Sequence, residues 1–509
     1  MGELRHLLVD ARPVDHPTAR NRGVGQYTIG LLRGLQMAGA PVVALHESDI
    51  EVELLEDAIP GLVLERLTPA AIRRYTVPDS WFLATQLMLH PITLDPVPRI
   101  VTDAGLPVAA VMYDVIPERY PEQYQVQPQA RAQVQLRGML ARTLDALLAI
   151  SRFAGDTAAD ELRFPSERIR VIGAGVDSAF RPADVLAWPR LAGLLADDGR
   201  GVVLMVAGSD PRKNTERTLT AWGSISPEVR ATHRLVVVAA VADTLRSQWL
   251  QRAHDAGVDD SVTFTGGVTN DQMVALHQVA TLAIMPSTEE GFGLPVLEAA
   301  ACGCPVIVSD VSSLPEVLSE PAAEFDPYDA ASIAAAIERA VTDDVHRGVL
   351  LAAGRRAVER WTWANTGRAV MDALTQLGPR QHRQLRPPAR RLALMGRFDG
   401  SVTGLANSAL ADAIRSLSMA PELHLLVDND GSPQPIGSTP LRFPARALGR
   451  SVRRSLFDDI VTLAVDGDGR RIASTGSAGS LIVPDQDPQS AAHALIDWLG
   501  LASLESPGS

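Results

Sequence analysis

Residues 282–298 of the chain are Leu-Ala-Ile-Met-Pro-Ser-Thr-Glu-Glu-Gly-Phe-Gly-Leu-Pro-Val-Leu-Glu. The apolar run at the start predicts a buried strand that ends at Met285, and Pro295 suits the first turn of a helix. The glycine-flanked turn between them exposes backbone N–H groups where the helix begins. We predict that Glu290 and Glu298 accept hydrogen bonds from one elongated, hydroxyl-rich ligand. The alternative is that both carboxylates only interact with the helix dipole.

Similar strand patterns occur on both sides of this segment. Short apolar runs alternate with helical patterns up to about residue 375, which is typical of βαβ units and parallel sheets, so the fold class is α/β. Residues 178–200 contain prolines and a polar stretch, which predicts a linker between two series of strands. The predicted strands are 7–9, 42–45, 108–112 and 146–150 in the first series, and 202–207, 235–239, 262–264, 282–285 and 306–308 in the second.

A second boundary is predicted in the Arg-rich segment 380–397, where the apolar periodicity is lost. Two interpretations of this segment remain open, a solvated linker and a basic surface that contacts anionic lipid head groups or a phosphorylated acceptor. Residues 391–427 repeat the plan of residues 5–45, namely strand, loop with two glycines, helix and strand. We therefore predict that residues 391–509 form a small α/β extension that is a partial copy of the first domain.

The loop of this copy contains Gly400 and Gly404, and its predicted helix covers residues 405–417. Further along, Asp466-Gly467-Asp468 resembles a pair of metal-binding carboxylates. Strand-like runs on both sides favour a glycine-centred hairpin turn instead. We expect no metal site there.

Composition excludes several classes of protein. The 509 residues are 46% hydrophobic and suggest about three domains, while the two cysteines are too few for a disulfide framework or a structural zinc site. A net charge of −13 argues against binding to nucleic acid. The longest apolar runs are too short to span a membrane and the N-terminus has no signal-peptide pattern, so we expect a cytoplasmic protein.

Lysine usage identifies a second candidate site. Of the 47 basic residues only Lys213 is a lysine, as if arginine had replaced lysine wherever a surface cation was sufficient. Lys213 follows Arg212 in a turn after the first strand of the second series, at a sheet edge where α/β proteins bind ligands. Both cations can bind adjacent phosphates and stabilise the charge of a leaving diphosphate. The alternative is a charged surface turn.

Gly23 and Gly25 are predicted to lie in a loop between the first strand and a helix that starts near Tyr27. Glycine there allows positive φ and close approach of the backbone to a ligand. An ordinary tight turn is the alternative. The full dinucleotide-binding motif G-x-G-x-x-G is not present, because position 28 is Thr28.

In their order and spacing these motifs, together with Phe264-Thr265-Gly266, resemble the retaining nucleotide-sugar glycosyltransferases of the GT-B fold, family four. The resemblance covers roughly residues 5–375. It implies two Rossmann-like domains that face each other across a cleft, an acceptor domain at 1–180 and a donor domain at 200–378. It also implies that neither a divalent metal nor another cofactor is needed, because side chains and helix dipoles stabilise the diphosphate of the co-substrate.

The resemblance also implies roles for individual residues. Glu298 would bind the ribose hydroxyl groups, Glu290 the hydroxyl groups of the transferred hexose, and Arg212 and Lys213 the diphosphate. The further residues that would line the donor are Gly23, Gly25, Gly208, Ser209, Val268, Gly291, Phe292, Gly293 and Leu294.

Many members of this family have a His-Asp pair after a first-domain strand, where this chain has Tyr113-Asp114. Tyr113 can donate a hydrogen bond but cannot act as a base near neutral pH. Asp114 has two interpretations, orientation of the acceptor hydroxyl and a turn or helix N-cap.

The resemblance therefore implies a metal-independent hexosyltransferase of polysaccharide or glycoconjugate biosynthesis. It would move a hexose from a nucleoside diphosphate sugar to a carbohydrate or lipid-linked acceptor. Peripheral membrane contact through 380–397 and a homo-oligomer remain open alternatives to a solvated linker and a monomer. The competing functions are a noncatalytic sugar-nucleotide-binding scaffold subunit and a GT-B sugar phosphorylase. This chain has no lysine beyond Lys213 that could bind a pyridoxal cofactor, which argues against the phosphorylase.

Overall fold

The structure is a computed structural model. It describes residues 4–15, 17–20, 23–47, 52–87, 96–183, 187–195, 197–379, 391–396, 422–427, 442–444, 459–465, 471–475, 479–482, 487, 490–491 and 494. The chain divides into two compact units. The first contains Met1–Gln86, Val108–Ile116 and Ala146–Gly378, and the second contains Leu87–Pro107, Pro117–Asp145 and Pro379–Ser509.

The first sheet has seven parallel strands in the order β3-β2-β1-β4-β5-β6-β7. Its central strands consist of buried apolar residues, as expected for a parallel sheet that is covered on both faces. The strands are β1 (His6–Asp10), β2 (Val42–His46), β3 (Val63–Arg66), β4 (Ser80–Ala84), β5 (Val108–Met112), β6 (Ala146–Ala149) and β7 (Ile169–Val171).

Helices connect these strands, and side-chain caps explain where some of them begin. Thr68 Oγ1 accepts a hydrogen bond from Ala71 N, and Ser151 Oγ accepts one from Ala154 N. The helices are α1 (Arg12–Asp15), α2 (Pro17–Arg20), α3 (Gly23–Met37), α4 (Val52–Ala58), α5 (Pro69–Tyr75), α6 (Arg99–Asp103), α7 (Ile116–Arg119), α8 (Pro121–Tyr124), α9 (Pro128–Thr143) and α10 (Arg152–Leu162), and a 3-10 turn covers Ser166–Arg168.

The predicted glycine loop before α3 is wrong. Gly23 and Gly25 belong to the first turns of α3, and neither has a positive φ. A Cβ at Gly25 would lie 2.5 Å from the Cα of Arg20, so the chain's own backbone, at the end of α2, occupies the space that we expected for a ligand. Glycine is needed at position 25 because two helices meet there.

The second sheet has six parallel strands in the order β10-β9-β8-β11-β12-β13. The strands are β8 (Gly201–Val206), β9 (His233–Val238), β10 (Val262–Gly266), β11 (Ala280–Met285), β12 (Val306–Ser309) and β13 (Glu324–Phe325). The helices are α11 (Thr215–Ser224), α12 (Pro227–Thr232), α13 (Asp243–Asp255), α14 (Asn270–Val279), α15 (Leu294–Ala301), α16 (Leu314–Leu318), α17 (Ala330–Thr342), α18 (Asp344–Arg360) and α19 (Trp363–Leu377), with 3-10 turns at Trp188–Leu191, Pro211–Lys213 and Pro321–Ala323.

Part of the predicted linker 178–200 belongs to the core around this sheet. Leu191 and Leu195 are buried in one cluster with Val202 and Leu204 of β8. Burial of these leucines fixes the segment against the second sheet. The exact domain boundaries stay a prediction.

Helix α19, the last helix of the second series, packs against α3 of the first domain. The rings of Trp363 and Tyr27 meet edge to face, with centroids 5.0 Å apart. Tyr27 Oη also donates a hydrogen bond to the carbonyl of Gly173, at 2.7 Å. Helix α19 therefore follows the second series of strands in the sequence but packs on α3 and β6 of the first domain.

The third sheet has the order β16-β15-β14-β17-β18-β19. Its first four strands are parallel and repeat the order β3-β2-β1-β4 of the first sheet, as the partial-repeat prediction requires. Strands β17, β18 and β19 are antiparallel, and Val465 pairs with Arg471, as expected for a hairpin. The strands are β14 (Arg391–Gly396), β15 (Glu422–Val427), β16 (Arg442–Pro444), β17 (Asp459–Val465), β18 (Arg471–Thr475) and β19 (Gly479–Ile482).

Several predictions for the C-terminal part fall outside the described residues. These are the Arg-rich segment from 380 to 390, Gly400 and Gly404, the helix at 405–417 and the turn at Asp466-Gly467-Asp468. Within the part of the chain that is described, no helix is both long and apolar enough to cross a membrane.

Candidate active site

The carboxylate of Glu290 is the centre of a hydrogen-bonded cluster in the turn between β11 and α15. Its Oε1 accepts hydrogen bonds from Lys213 Nζ at 2.6 Å and from Ser287 Oγ at 2.8 Å. Arg212 Nη1 lies 2.8 Å from Oε2 of the same buried carboxylate. The structure therefore brings three predicted site residues together, although 77 positions of sequence separate Lys213 from Glu290.

The charged groups of this cluster shift one another's pKa. Burial by itself would raise the pKa of Glu290, but the cations of Lys213 and Arg212 outweigh it and lower the pKa to about 2. Burial would also lower the pKa of Arg212, yet the carboxylates of Glu290 and Asp210 raise it. Glu290 and Arg212 are therefore both ionised at neutral pH, and the turn presents fixed charges to a ligand.

Two glycines shape the turn that carries Glu290. Gly293 has a φ of +95° immediately before α15, a conformation that residues with a Cβ rarely adopt. A Cβ at Gly291 would lie 2.1 Å from the carbonyl oxygen of Tyr113, at the end of β5. Ser151 Oγ, after β6, donates a hydrogen bond to the Gly291 carbonyl at 2.6 Å. The carboxyl ends of two first-domain strands therefore contact the turn directly.

The turn with the two cations is fastened to the Glu290 turn through the backbone. Thr288 N donates to the carbonyl of Arg212 at 2.8 Å, and Arg212 Nη1 donates to the carbonyl of Glu289 at 2.8 Å. Asn214, which has a φ of +62° at the start of α11, donates from Nδ2 to the carbonyl of Pro286 at 3.0 Å. These bonds hold both turns in one geometry.

Serines that the sequence analysis did not single out complete the cluster. Ser287 donates to the Glu290 carboxylate, Ser312 Oγ accepts from Glu290 N at 3.0 Å, and Ser313 Oγ donates to the Glu290 carbonyl at 2.9 Å. Ser287 was within the quoted motif, but serine is too common in turns to be distinguished there. The other two follow β12 and have no motif of their own.

Asp114 and Tyr113 differ in where their side chains lie. Tyr113 is buried and donates from Oη to the carbonyl of Thr85 at 3.0 Å, and burial raises the pKa of its phenol. Asp114 Oδ1 accepts from Ile116 N at 3.1 Å, which is the turn contact that the sequence left open. Burial lowers the pKa of Arg212, and nearby carboxylates raise it. The charge of Asp114 is one of them, so Asp114 also lies near the cluster.

Glu298 lies outside the Glu290 cluster. Its side chain, on α15, is 24% exposed, and Oε2 is 3.7 Å from Nε2 of His277 on α14. His277 is a residue that the sequence analysis missed, because a histidine inside an apolar helix pattern is usually part of the core.

Among the other predicted donor residues, Gly208 and Ser209 line one cavity, and Val268 follows two residues that line a second one. Gly208 and Ser209 line a cavity of about 560 Å³ beside the start of α11. Gly266 and Gly267, which precede Val268, line one of about 330 Å³ at the ends of β9 and β10. The lining of neither cavity includes Glu290 or Glu298, but Asp210, which pairs with Arg212, lines the first cavity.

Within the described ranges, no group of three or more His, Cys, Asp or Glu side chains could hold a metal ion. The cations near Glu290 are side chains of the protein itself. Independence from metal ions stays a prediction, which an activity measurement tests.

Comparisons with known proteins agree with the sequence motifs. Residues 191–357 match the family model described as glycosyl transferases group 1. The serotype-specific mannosyltransferase WbdA of Escherichia coli is 31% identical over 281 residues, which are 54% of this chain and 34% of the relative. The GDP-mannose-dependent alpha-(1-6)-phosphatidylinositol monomannoside mannosyltransferase of Mycobacterium tuberculosis is 31% identical over 222 residues, 41% of this chain and 56% of the relative. The chain thus spans less than two thirds of either relative.

Solved structures show the same fold. Anabaena HepE, in a structure with UDP and glucose, has a TM-score of 0.57 at 16% identity and covers 73% of this chain and 100% of its own. WaaG, a glycosyltransferase of lipopolysaccharide biosynthesis, has a TM-score of 0.51 at 15% identity and covers 73% of this chain and 99% of its own. The solved structures confirm the predicted GT-B fold, and the family model and the relatives confirm the resemblance to glycosyltransferases.

Proposed function

We propose that this chain is a retaining hexosyltransferase that moves a hexose from a nucleoside diphosphate sugar to a hydroxyl group of a carbohydrate or lipid-linked acceptor. The observation that carries the proposal is the buried Glu290 carboxylate between Arg212 and Lys213 at the start of α15. One site thus holds cations for a leaving diphosphate and a carboxylate for sugar hydroxyl groups. The names of the similar proteins support this activity.

In the proposed reaction, the acceptor oxygen bonds to C1 of the hexose while the bond between C1 and the diphosphate oxygen breaks. The electron pair of that bond leaves on the diphosphate, where Arg212 and Lys213 stabilise the charge. The N-terminus of α15 adds the positive end of its dipole. Because a retaining reaction places the acceptor on the face that the diphosphate leaves, a diphosphate oxygen can take the acceptor proton.

The two carboxylates of the motif act on different parts of the donor. Glu290 accepts hydrogen bonds from hexose hydroxyl groups, and Glu298 accepts them from the ribose. The diphosphate competes with Glu290 for Lys213, so donor binding frees carboxylate oxygens for the sugar. Asp114, whose charge already acts on Arg212, accepts a hydrogen bond from the acceptor hydroxyl.

The donor is tested first with GDP-mannose, since two of the similar proteins are named mannosyltransferases and one is named GDP-mannose-dependent. The melting temperature of the full chain is measured with a panel of GDP- and UDP-sugars. We expect one donor to raise it and to be consumed in the presence of an acceptor, with the anomeric configuration retained in the product's NMR spectrum. Absence of binding by every nucleotide sugar, or an inverted product, would contradict the proposal.

The remaining partners are proposals that rest on the sequence. Segment 380–397 contains six arginines and no acidic residue, so we propose that it contacts anionic lipid on the cytoplasmic side of a membrane. We propose separately that the protein is a homo-oligomer. Sedimentation with phosphatidylglycerol vesicles at low and high salt tests the first point. Light scattering tests the second. If the protein does not sediment with the vesicles at either salt concentration, the lipid contact is refuted. If light scattering gives the mass of a monomer, the homo-oligomer is refuted.

A further inference from the structure

His277 is a buried polar side chain to which the proposed reaction gives no role. It is 1% exposed, and neither ring nitrogen has a hydrogen-bond partner among the residues that the structure describes. Burial of a polar group without such a partner costs free energy. If position 277 only needed a ring to fill the core of α14, phenylalanine would fill it at lower cost.

The imidazole is directed at one carboxylate. Its Nε2 lies 3.7 Å from Oε2 of Glu298, about 0.7 Å longer than an ordinary N–H···O hydrogen bond. No water molecule fits on the line between the two atoms. A small rotation of the Glu298 side chain closes the gap and satisfies the buried nitrogen.

Residues near Phe180 cover the His277 ring and shield it from water. The ring of Phe180 meets the imidazole edge to face, with centroids 5.8 Å apart. Gln278 Nε2 donates to the carbonyl of Arg181 at 2.8 Å, which holds this segment against α14. Glu298, in contrast, keeps 24% of its side chain exposed. The carboxylate is thus placed between a sheltered donor and the surface that a ligand can reach.

We infer that His277 positions Glu298 for the ribose of the nucleotide. Nε2–H of the imidazole donates to Oε2, which holds the carboxylate in the rotamer whose free lone pairs accept the ribose hydroxyl groups. The inference rests on the proposed function, because it takes Glu298 as the ribose ligand. His277 touches no substrate atom and is therefore a positioning residue.

The experiment measures recognition of the ribose separately from that of the diphosphate. Calorimetric titrations of the full chain use GDP and UDP, each beside its 2′,3′-dideoxy counterpart. We expect the wild type to prefer the ribonucleotide of its cognate base by about tenfold or more, since a polar site rejects an analogue that leaves its groups unpaired. His277→Phe, which keeps the ring and its contact with Phe180, should reduce this ratio at least about threefold without changing affinity for the dideoxynucleotide.

Two amide variants serve as matched controls. His277→Gln places its amide nitrogen near the position of Nε2 and should keep most of the ratio, whereas His277→Asn places it near Nδ1 and should not. If His277→Phe keeps the wild-type ratio, or weakens both nucleotides equally, His277 has no positioning role although the proposed function stands. If the wild type binds no nucleotide, the proposed function and this inference both fail. If His277→Phe does not fold, equal ratios for the Gln and Asn variants overturn the inference.

Discussion

In each Rossmann-like sheet an arginine that follows the first strand pairs with a carboxylate, but the two pairs differ in exposure. After β1, Arg12 Nε lies 2.7 Å from Asp10 Oδ1, and the two side chains are 3% and 1% exposed. After β8, Arg212 Nη1 lies 2.8 Å from Glu290 Oε2, and the side chains are 21% and 9% exposed. The arginine after the first strand therefore belongs to a closed pair in one domain and to a partly exposed pair in the other.

The origin of the partners explains the difference. Asp10 and Arg12 are two residues apart, and Gln86 Nε2 adds a hydrogen bond of 2.6 Å to Asp10 Oδ2. Arg212 likewise pairs with Asp210, two residues before it, at 3.0 Å. Its further partner Glu290 comes from the turn after β11, so two turns have to meet before that pair exists. A closed pair contributes to the fold, whereas a partly exposed pair can exchange partners with a ligand.

The largest effect is expected for Asp10→Ala. Arg12 would remain buried without its main counter-charge, so we expect the free energy of unfolding to fall by about 3–5 kcal/mol. Urea denaturation measures this loss. The double variant Asp10→Val with Arg12→Leu removes both charges and should recover most of the stability. A loss below about 1 kcal/mol for Asp10→Ala would show that the two pairs do not differ as proposed.

Glu290→Ala should affect activity more than stability. We expect kcat to fall on the order of 10³-fold because the hexose contact is lost. Its stability loss should be smaller than that of Asp10→Ala, since Arg212 keeps Asp210 and Lys213 is 18% exposed to water. Asp344→Ala, in an exposed pair with Arg347, is the control and should change neither quantity. Normal turnover by folded Glu290→Ala would remove Glu290 from the site.

Lys213→Arg should reduce kcat about a hundredfold, although it keeps the charge. An ammonium reaches Glu290 and a phosphate oxygen from several directions, whereas a second planar guanidinium would compete with Arg212 for the same space. Steady-state kinetics and the Kd for the nucleoside diphosphate measure the effect. The matched control is the reverse exchange at the exposed Arg356, which pairs with Glu320; Arg356→Lys should leave both values unchanged. Wild-type values for Lys213→Arg would make the single lysine a coincidence.

No effect is expected from removal of metal ions. Because the cations beside Glu290 are side chains, activity should be the same with and without EDTA. An assay with added EDTA, followed by Mg²⁺ or Mn²⁺, measures this. Activity that is lost with EDTA and restored by either ion would show that a metal does the work assigned here to Arg212 and Lys213.

Local patterns predicted the parts of the fold that depend on local residues. The alternation of strands and helices, the turn before α15 and the strands on both sides of 466–470 were all visible in the sequence. The location of Gly23 and Gly25 in a loop was wrong, because glycine also occurs where two helices approach closely. Sequence alone does not distinguish these two uses of glycine.

The sequence by itself determined which residues carry charge and which turns expose them, because strand patterns and turn residues act over a few positions. Only the tertiary structure decided that Lys213, Ser287 and Glu290 share hydrogen bonds and that His277 lies beside Glu298. Such contacts depend on the order of the strands in the sheet and on helix packing. The pKa of Glu290 follows from them, because burial and two cations act together only when distant turns meet.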